Sequence, residues 1–199
     1  MTDQASDQTT PMNAAGVRNF FETAAQDWDT MRLTYYDERV IETIADAIAV
    51  DETHTVLDVG TGTGFVAAGL ASRARQVLAV DHSAAMLDVA RTNLAELAIG
   101  NVELLEGDIT HLALPDDTVT AVANMVLHHA ENPGEMIAEM ARVVRPGGWV
   151  AITDEIEHPY GWMRTEQADI WLGFLPGQIE GFFGSARLTQ YGYATLGSQ

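Results

Sequence analysis

The chain has 199 residues, and 47% of them are hydrophobic, which is enough to build one compact domain with a sizeable core. Its formal net charge is −19 and it contains no lysine, so its acidic surface argues against a nucleic-acid substrate. It has no cysteine, which excludes a disulfide framework, a zinc–thiolate site and a cysteine nucleophile, and which fits a cytoplasmic location.

The N-terminal residues 1–12 are polar and contain few core-forming side chains. We therefore expect a flexible tail, followed by a single domain at residues 13–199. The tail has neither the basic nor the apolar region of a signal peptide. No apolar run in the chain approaches the ~18 residues that a membrane span requires. The sequence thus predicts neither a cleaved leader nor a membrane span.

Predicted helices and strands alternate from residue 38 onward. Apolar residues recur on one helical face of residues 38–50, which predicts the first helix of the core. Short β-branched or apolar runs predict five strands, at residues 54–59, 76–80, 102–105, 118–127 and 149–153. Helical patterns lie between them, at residues 64–74, after Ser83 and from Pro133 to about Val144. This order predicts an α/β fold with a mostly parallel sheet and helices on both faces.

A glycine-rich loop follows the first predicted strand. Residues 58–64 read Asp-Val-Gly-Thr-Gly-Thr-Gly, and ligands of open parallel sheets bind at this end of the strands. Glycine lets the backbone turn sharply and approach a ligand closely. Two nucleotide-binding patterns fail here. The dinucleotide motif G-x-G-x-x-G requires a glycine where the chain has Phe65, and the phosphate-binding P-loop requires a lysine.

Several landmarks in chain order resemble the class I S-adenosylmethionine-dependent methyltransferases. They are the loop at 58–64, Asp81 after the second strand, Gly107-Asp108-Ile109, the fourth strand leading to Asn124 and His128-His129, and Arg145-Pro146-Gly147-Gly148. The resemblance covers residues 17 to 155 and is closest to small-molecule enzymes related to ubiquinone and menaquinone biosynthesis. It implies a Rossmann-like three-layer α/β/α sandwich and S-adenosylmethionine as cofactor. It also implies methyl transfer to a small organic acceptor by in-line displacement.

The resemblance further implies which residues bind the cofactor. Asp81 would accept hydrogen bonds from the ribose hydroxyls, and Asp108 would accept one from the adenine amino group. The glycine loop would surround the methionine end. The full set of expected cofactor-binding residues is Asp58, Gly60, Thr61, Gly62, Gly64, Asp81, His82, Met86, Asp108, Ile109 and Asn124. Asp108 also fits a simple turn aspartate and Met86 an ordinary core residue, and the sequence leaves both alternatives open.

No obligatory catalytic residue follows from the sequence. A sulfonium donor is already activated, so the protein mainly has to align the reactants and exclude water. The candidates for a general base are His128, His129 and Tyr35. The alternative is that one histidine lines the substrate cavity and the other only makes hydrogen bonds, because adjacent residues of a strand face opposite ways. A metal would need a third ligand such as His111 or Asp108, which the spacing does not require, so no metal site is predicted.

Aromatic segments on either side of the core are expected to bind the acceptor. Residues 13–50 resemble the N-terminal lid of the family and its first helix, and residues 54–155 form the cofactor-binding core. Residues 156–199 would cap the substrate side, with a sixth strand at residues 188–193. The candidate acceptor contacts are Trp28, Tyr35, His128 and Trp171.

Two other functions and one partner stay open. The protein can instead be a sensor or regulatory subunit that binds S-adenosylmethionine without transferring its methyl group. An NAD-dependent oxidoreductase fits the loop less well. The chain leaves no room for the usual last strand of the family, so we expect either a shorter sheet or a homodimer that covers the exposed edge.

Overall fold

The computed structural model describes residues 12–196, so the predicted tail at residues 1–12 lies outside this range except for Met12. Five strands form one sheet: β1 (Thr55–Val59), β2 (Gln76–Asp81), β3 (Val102–Glu106), β4 (Thr120–Asn124) and β5 (Val150–Thr153). All pairings are parallel and the spatial order is β3-β2-β1-β4-β5. The predicted α/β fold with a parallel sheet is confirmed.

Eight α-helices accompany the sheet within the described residues. They are α1 (Ala14–Ala24), α2 (Trp28–Met31), α3 (Arg39–Ala47), α4 (Phe65–Ala71), α5 (Ala84–Glu96), α6 (Pro133–Val143), α7 (Met163–Glu166) and α8 (Pro176–Ser185). Ser83 caps α5 as predicted, because its side chain accepts a hydrogen bond from the Met86 N–H at 3.2 Å. Pro133 opens α6, where a missing N–H costs no helical hydrogen bond.

The apolar faces of the helices form two cores, one on each face of the sheet. One core joins α3 and α4 to the strands, with Ile44, Ile48 and Leu70 fully buried. The other joins α6 to the opposite face and is extended by Phe174 and side chains of α8. This is the three-layer arrangement, because each sheet face needs its own cover of apolar side chains.

Two details of the predicted strands are wrong. The fourth strand was expected to reach residue 127, but it ends at Asn124 because Met125 adopts a left-handed φ of 53°. The chain then forms a short 3-10 helix at Leu127–His129. No strand forms at residues 188–193, so β5 is an edge strand within the part of the chain that the structure describes. Among these residues, none of the helices combines the length and apolar character needed to cross a membrane.

Candidate functional site

A cleft of about 710 Å³ opens where β1, β2 and β4 end. The strand order reverses between β1 and β4, which is the position where open α/β sheets bind ligands. The cleft brings together nine of the eleven residues expected to bind the cofactor: Asp58, Gly60, Thr61, Gly62, Asp81, His82, Met86, Ile109 and Asn124. Gly64 and Asp108 do not line it.

The glycine loop forms the floor of the cleft. Gly60, Gly62 and Gly64 have φ values of 70°, 55° and 84°, a region that residues with a Cβ avoid. A Cβ on Gly60 would also lie 2.4 Å from a methyl carbon of Val126. A Cβ on Gly62 would lie 3.8 Å from the Trp28 Nε1, which is ordinary contact distance, so this side of the loop is open. Gly64 contributes its backbone conformation and packs beside Ala90 instead of lining the cleft.

Asp81 joins the end of β2 to the loop. Its Oδ2 accepts a hydrogen bond from the Gly62 N–H at 2.8 Å, and its Oδ1 accepts one from the Ser83 N–H at 2.9 Å. The residue is 7% exposed, and burial raises the pKa of its carboxyl group. Each carboxylate oxygen has a second lone pair, so Asp81 can accept two further hydrogen bonds from a ligand in the cleft.

Asp58 orders the same loop from beneath. Its Oδ2 accepts a hydrogen bond from the Thr61 hydroxyl at 2.7 Å, in a residue that is 1% exposed. Burial raises the pKa of Asp58 to about 6, against the opposing effect of this hydrogen bond. Asp58 therefore holds Thr61 in place within the loop.

Asp108 turns away from the cleft. It is exposed, and its Oδ1 accepts hydrogen bonds from the Thr110 N–H at 2.8 Å and the Thr110 hydroxyl at 2.7 Å. These bonds lower the pKa of the Asp108 carboxyl group. This is the geometry of a turn aspartate, the alternative that the sequence left open. A role toward adenine stays a prediction that requires the side chain to rotate.

The N-terminal segment covers the cleft and is tied to the core by two carboxylates. Glu22 of α1 accepts the Ala84 N–H at 3.0 Å, which places a negative charge at the N-terminus of α5. Asp29 of α2 accepts the Thr63 hydroxyl at 2.7 Å and the Asn93 amide at 2.9 Å. The lid therefore touches the glycine loop directly. This role of Asp29 was not predicted from the sequence, in which only its position beside Trp28 marks it.

A second, smaller cleft of about 280 Å³ adjoins the first. The two share Trp28, Tyr36, Met125 and His129 as lining residues. The smaller cleft also contains three of the predicted acceptor contacts, Trp28, Tyr35 and His128. Its remaining lining residues are Glu155, Met163, Gln167 and Asp169. The fourth predicted contact, Trp171, lines neither cleft, because its Nε1 donates to the Ala130 carbonyl at 3.0 Å and its ring stacks on Phe174.

The two adjacent histidines differ in charge. They lie on a 3-10 helix and not on a strand, and their ring centroids are 3.9 Å apart. Burial opposes protonation of His128, but the Asp154 carboxylate at 2.8 Å outweighs it and raises the pKa of His128 to about 9. Burial and the neighbouring His128 hold the pKa of His129 well below its usual value. At neutral pH His128 is therefore a cation and His129 is neutral.

The tautomer of His129 is defined by its surroundings. Its Nδ1 lies 3.2 Å from the Ala168 carbonyl oxygen, so Nδ1 carries the proton and Nε2 keeps a free lone pair. Its ring also meets Phe21 of the lid edge to face, with centroids 4.9 Å apart. Asp154 and Asp169, which surround His128, were not predicted from the sequence because each lies more than 25 positions along the chain.

Comparison with known proteins agrees with this geometry. Residues 57–152 match a family described as a methyltransferase domain. A ubiquinone biosynthesis O-methyltransferase of Alkalilimnicola ehrlichii is 31% identical over 175 residues, which are 82% of this chain and 68% of the relative. This chain belongs to the class I S-adenosylmethionine-dependent methyltransferases.

Other relatives extend the comparison. An arsenite methyltransferase of Halobacterium salinarum is 38% identical over 107 residues, which are 52% of this chain and only 27% of that protein. The chain therefore spans about a quarter of the length of this relative. The fold matches the crystal structure of a methyltransferase from Aquifex aeolicus described as dependent on S-adenosylmethionine. That likeness has a TM-score of 0.63, 23% identity and 88% coverage of both chains. S-adenosylmethionine is the cofactor of the family to which the chain belongs.

Proposed function

We propose that the protein transfers a methyl group from S-adenosylmethionine to a small organic acceptor. The observation that carries this proposal is the buried Asp81 carboxylate, which holds the Gly62 N–H at the cleft where the strand order reverses. An acid that fixes the loop and keeps free lone pairs is suited to a ligand with adjacent hydroxyl groups. An oxidoreductase would use the same cleft, but the loop lacks its third glycine and has Phe65 there.

The side chains in the cleft fit the parts of the cofactor. Asp81 would hold the ribose, and Ile109 and Met86 would enclose the adenine ring, as the resemblance implies. The N–H groups of the glycine loop and the side chain of Asn124 would serve the methionine end. The Nε2 of His82, which lines this cleft, is buried without a hydrogen bond to any described residue. A polar ligand in this cleft would satisfy it.

The bound cofactor supplies a methyl carbon that bonds to a lone pair of the acceptor as the carbon–sulfur bond breaks and leaves its electron pair on sulfur. The residues of the chain supply position and exclude water. Phe21 and Trp28 of the lid lie edge to face, with centroids 5.2 Å apart, over the opening of the cleft. Tyr36 lines both clefts and completes this aromatic cover.

Of the three candidate bases, His129 is the one we propose. A general base must be unprotonated at the working pH and have a free lone pair. Neutral His129 meets both conditions at Nε2. His128 has a pKa raised to about 9, and burial raises the pKa of the Tyr35 phenol, so both would hold their protons at neutral pH. His128 then acts as a fixed positive charge between Asp154 and Asp169.

The composition of the chain and the lining of the clefts argue against two classes of methyl acceptor. Arsenite methylation that relies on cysteine thiols is excluded because the chain has no cysteine, although one relative carries that name. A nucleic-acid acceptor would need cationic side chains along its path, and neither cleft is lined by an arginine. A small molecule that fits between the lid and the segment at residues 155–169 remains the acceptor best supported by the geometry.

A binding experiment tests the cofactor and a transfer experiment tests the reaction. S-adenosylhomocysteine at 100 times its dissociation constant should stabilise the fold by about 2.7 kcal/mol, or roughly 5–10 °C for a domain of this size. NAD and ATP at the same concentration should give no shift, and Asp81→Asn should reduce the shift. A shift with NAD alone would favour the oxidoreductase. A shift with S-adenosylhomocysteine but no methyl transfer to any small molecule in a broad acceptor panel would favour the sensor.

A further inference from the structure

The smaller cleft contains hydrogen-bond acceptors that have no partners. Asp169 is 0% exposed, and neither of its carboxylate oxygens has a hydrogen bond within residues 12–196. The Oε1 of Gln167, on the same wall, is also buried without a partner. A buried acceptor that lacks a donor is unfavourable, and more so when it is charged. Three such atoms on one wall indicate that a ligand with donors completes this cleft.

The charged groups around the cleft favour a ligand of positive charge. The His128 Nε2 lies 3.7 Å from the Asp169 Oδ1, beyond hydrogen-bond distance. His128 already engages Asp154 at 2.8 Å, so one cation stands between two carboxylates. Glu155 is a second carboxylate beside Asp169 in the lining, and no arginine among the described residues lines the cleft. An anionic ligand would be repelled here, whereas a cation would be attracted.

Asp169 is ionised under ordinary conditions. Burial raises the pKa of its carboxyl group to about 6, and the neighbouring His128 charge opposes that rise. At neutral pH the carboxylate form therefore prevails, and it offers acceptors only.

The aromatic residues that line the cleft suit an organic cation. Trp28, Tyr35 and Tyr36 line the cleft, and aromatic faces attract ammonium groups. Tyr35 and Asp169 line the same cleft, and partial burial, followed by the Asp169 charge, raises the pKa of the Tyr35 phenol. Aromatic rings combined with carboxylate and amide oxygens that lack hydrogen bonds bind N–H donors with a positive charge.

We propose that the acceptor is a cationic amine whose ammonium group is held by Asp169 and Gln167 against the aromatic wall of Trp28, Tyr35 and Tyr36. The inference rests on the proposed function and names the substrate class of the same site. The cleft that binds the amine shares Trp28, Tyr36, Met125 and His129 with the cofactor cleft. An ammonium group seated on Asp169 is therefore next to the proposed cofactor site and to the neutral His129, whose Nε2 would take one proton so that the nitrogen has the lone pair that bonds to the methyl carbon.

A metal ion fits these atoms less well. Ligating atoms of His128, His129 and Asp169 lie within 4.8 Å of one another, as do those of Glu155, His158 and Asp169. In the second group the His158 Nε2 is engaged with Glu155 at 2.8 Å, so a metal would have to break that bond. In the first group a metal would have to replace the proton of His128. An ammonium group would use the oxygens of Asp169 and Gln167 that lack a hydrogen bond, and it would leave the His158–Glu155 bond and the proton of His128 in place.

The test compares an amine with its neutral isostere on the full-length protein saturated with S-adenosylhomocysteine. Benzylamine, which is protonated at neutral pH, and benzyl alcohol are titrated calorimetrically. We expect benzylamine to bind at least tenfold more tightly than benzyl alcohol. Asp169→Asn should remove at least tenfold of the benzylamine affinity, and Gln167→Leu severalfold. Neither variant should change the affinity for S-adenosylhomocysteine.

The control variant is Asp88→Asn, which neutralises an exposed carboxylate of α5 that pairs with Arg91 in solvent. It should leave benzylamine binding unchanged. Equal affinity of the wild-type protein for benzylamine and benzyl alcohol would overturn the proposal without any variant. So would benzylamine binding that survives in a folded Asp169→Asn protein, or binding that requires Zn²⁺ or Mn²⁺ and disappears with a chelator.

Failure of the proposed function has a different signature. In that case S-adenosylhomocysteine would not bind, and the benzylamine titration would be run on the protein alone. The acceptor atoms and the aromatic wall around Asp169 belong to the chain itself, so the preference for the amine would still be measurable. Retained amine preference without cofactor binding would support the amine-binding pocket while refuting the proposed methyl transfer.

Discussion

The replacement of Gly60 by alanine tests whether the loop geometry requires glycine. Gly60 has a φ of 70°, and a Cβ at this position would lie 2.4 Å from a methyl carbon of Val126 and 2.9 Å from the Val126 Cβ. Both features act against alanine, one through the backbone and one through packing. The loop also carries the Asp81 bond at Gly62, so a displaced Gly60 would move the cleft floor.

The two effects have separate magnitudes. A left-handed backbone at a residue with a Cβ costs about 1–2 kcal/mol. Forcing a methyl group against a packed neighbour costs about 1–3 kcal/mol. Gly60→Ala should therefore lower the free energy of unfolding by about 2–5 kcal/mol, the sum of the two. Gly100→Ala is the matched control, because Gly100 is exposed and no atom lies within 4 Å of the position that its Cβ would take. Its effect should stay within about 0.5 kcal/mol.

Urea unfolding of four proteins measures both effects. They are the wild type, Gly60→Ala, Val126→Ala and the double variant. Removal of the Val126 methyl groups should relieve the 2.4 Å contact but leaves the Val126 Cβ in place, so it should recover part of the packing cost and give a coupling energy of about 0.5–3 kcal/mol between the two sites. The backbone part should persist in the double variant. An unfolding midpoint of Gly60→Ala equal to that of the wild type would refute the reasoning, as would a coupling energy near zero.

Three further predictions concern charge and the lid. Burial raises the pKa of Asp58 from its ordinary value of 3.8 to about 6. The folded protein therefore holds this proton more tightly than the unfolded chain, and the resulting stability is complete below pH 3.8 and is lost as the pH rises through about 6. The difference in the free energy of unfolding between wild type and Asp58→Asn, measured with urea, should therefore change by about 3 kcal/mol between pH 3.8 and 6. A difference that stays constant with pH would contradict the raised pKa of Asp58. The pKa of His128 is raised to about 9, so the stability that its protonated form gives the fold is complete below pH 6.5 and is lost as the pH rises through about 9. An NMR titration of its ring should have its midpoint near 9. A midpoint near 6.5 would refute the pairing with Asp154. Asp29→Ala removes the hydrogen bonds to Thr63 and Asn93, so backbone amide hydrogen exchange in α1 and α2 should accelerate by about tenfold. Exchange in β1 should not change. Unchanged exchange in α1 and α2 would mean that other contacts hold the lid.

The cofactor cleft could be predicted largely from local sequence. The loop at residues 58–64 and Asp81 both follow strands, and parallel strands bring their carboxyl ends to one edge of the sheet. Nine of the eleven expected residues line the cleft for this reason. Asp108 does not, because Thr110 two positions later offers its side chain two hydrogen bonds, and a local turn competes with a ligand that lies farther away.

The acceptor side could not be predicted in the same way. Asp169 meets His128 across 41 positions of sequence, and Trp171 packs on Phe174 although its aromatic character suggested a pocket wall. The sixth strand failed because residues 188–193 pair with no neighbour in the sheet. A strand requires a partner for its backbone groups, and a short-range pattern does not supply one.

The sequence alone therefore determined the order of helices and strands, the parallel sheet and the glycine loop. These follow from hydrophobic period, helix caps and glycine, which act over a few residues. Only the tertiary structure decided that Asp154 keeps His128 charged while burial keeps His129 neutral, that Asp29 ties the lid to the loop, and that Asp169 is buried without a hydrogen-bond partner among residues 12–196. Charge, burial and satisfaction of polar groups depend on which distant segments pack together, and that information exists only once the chain has folded.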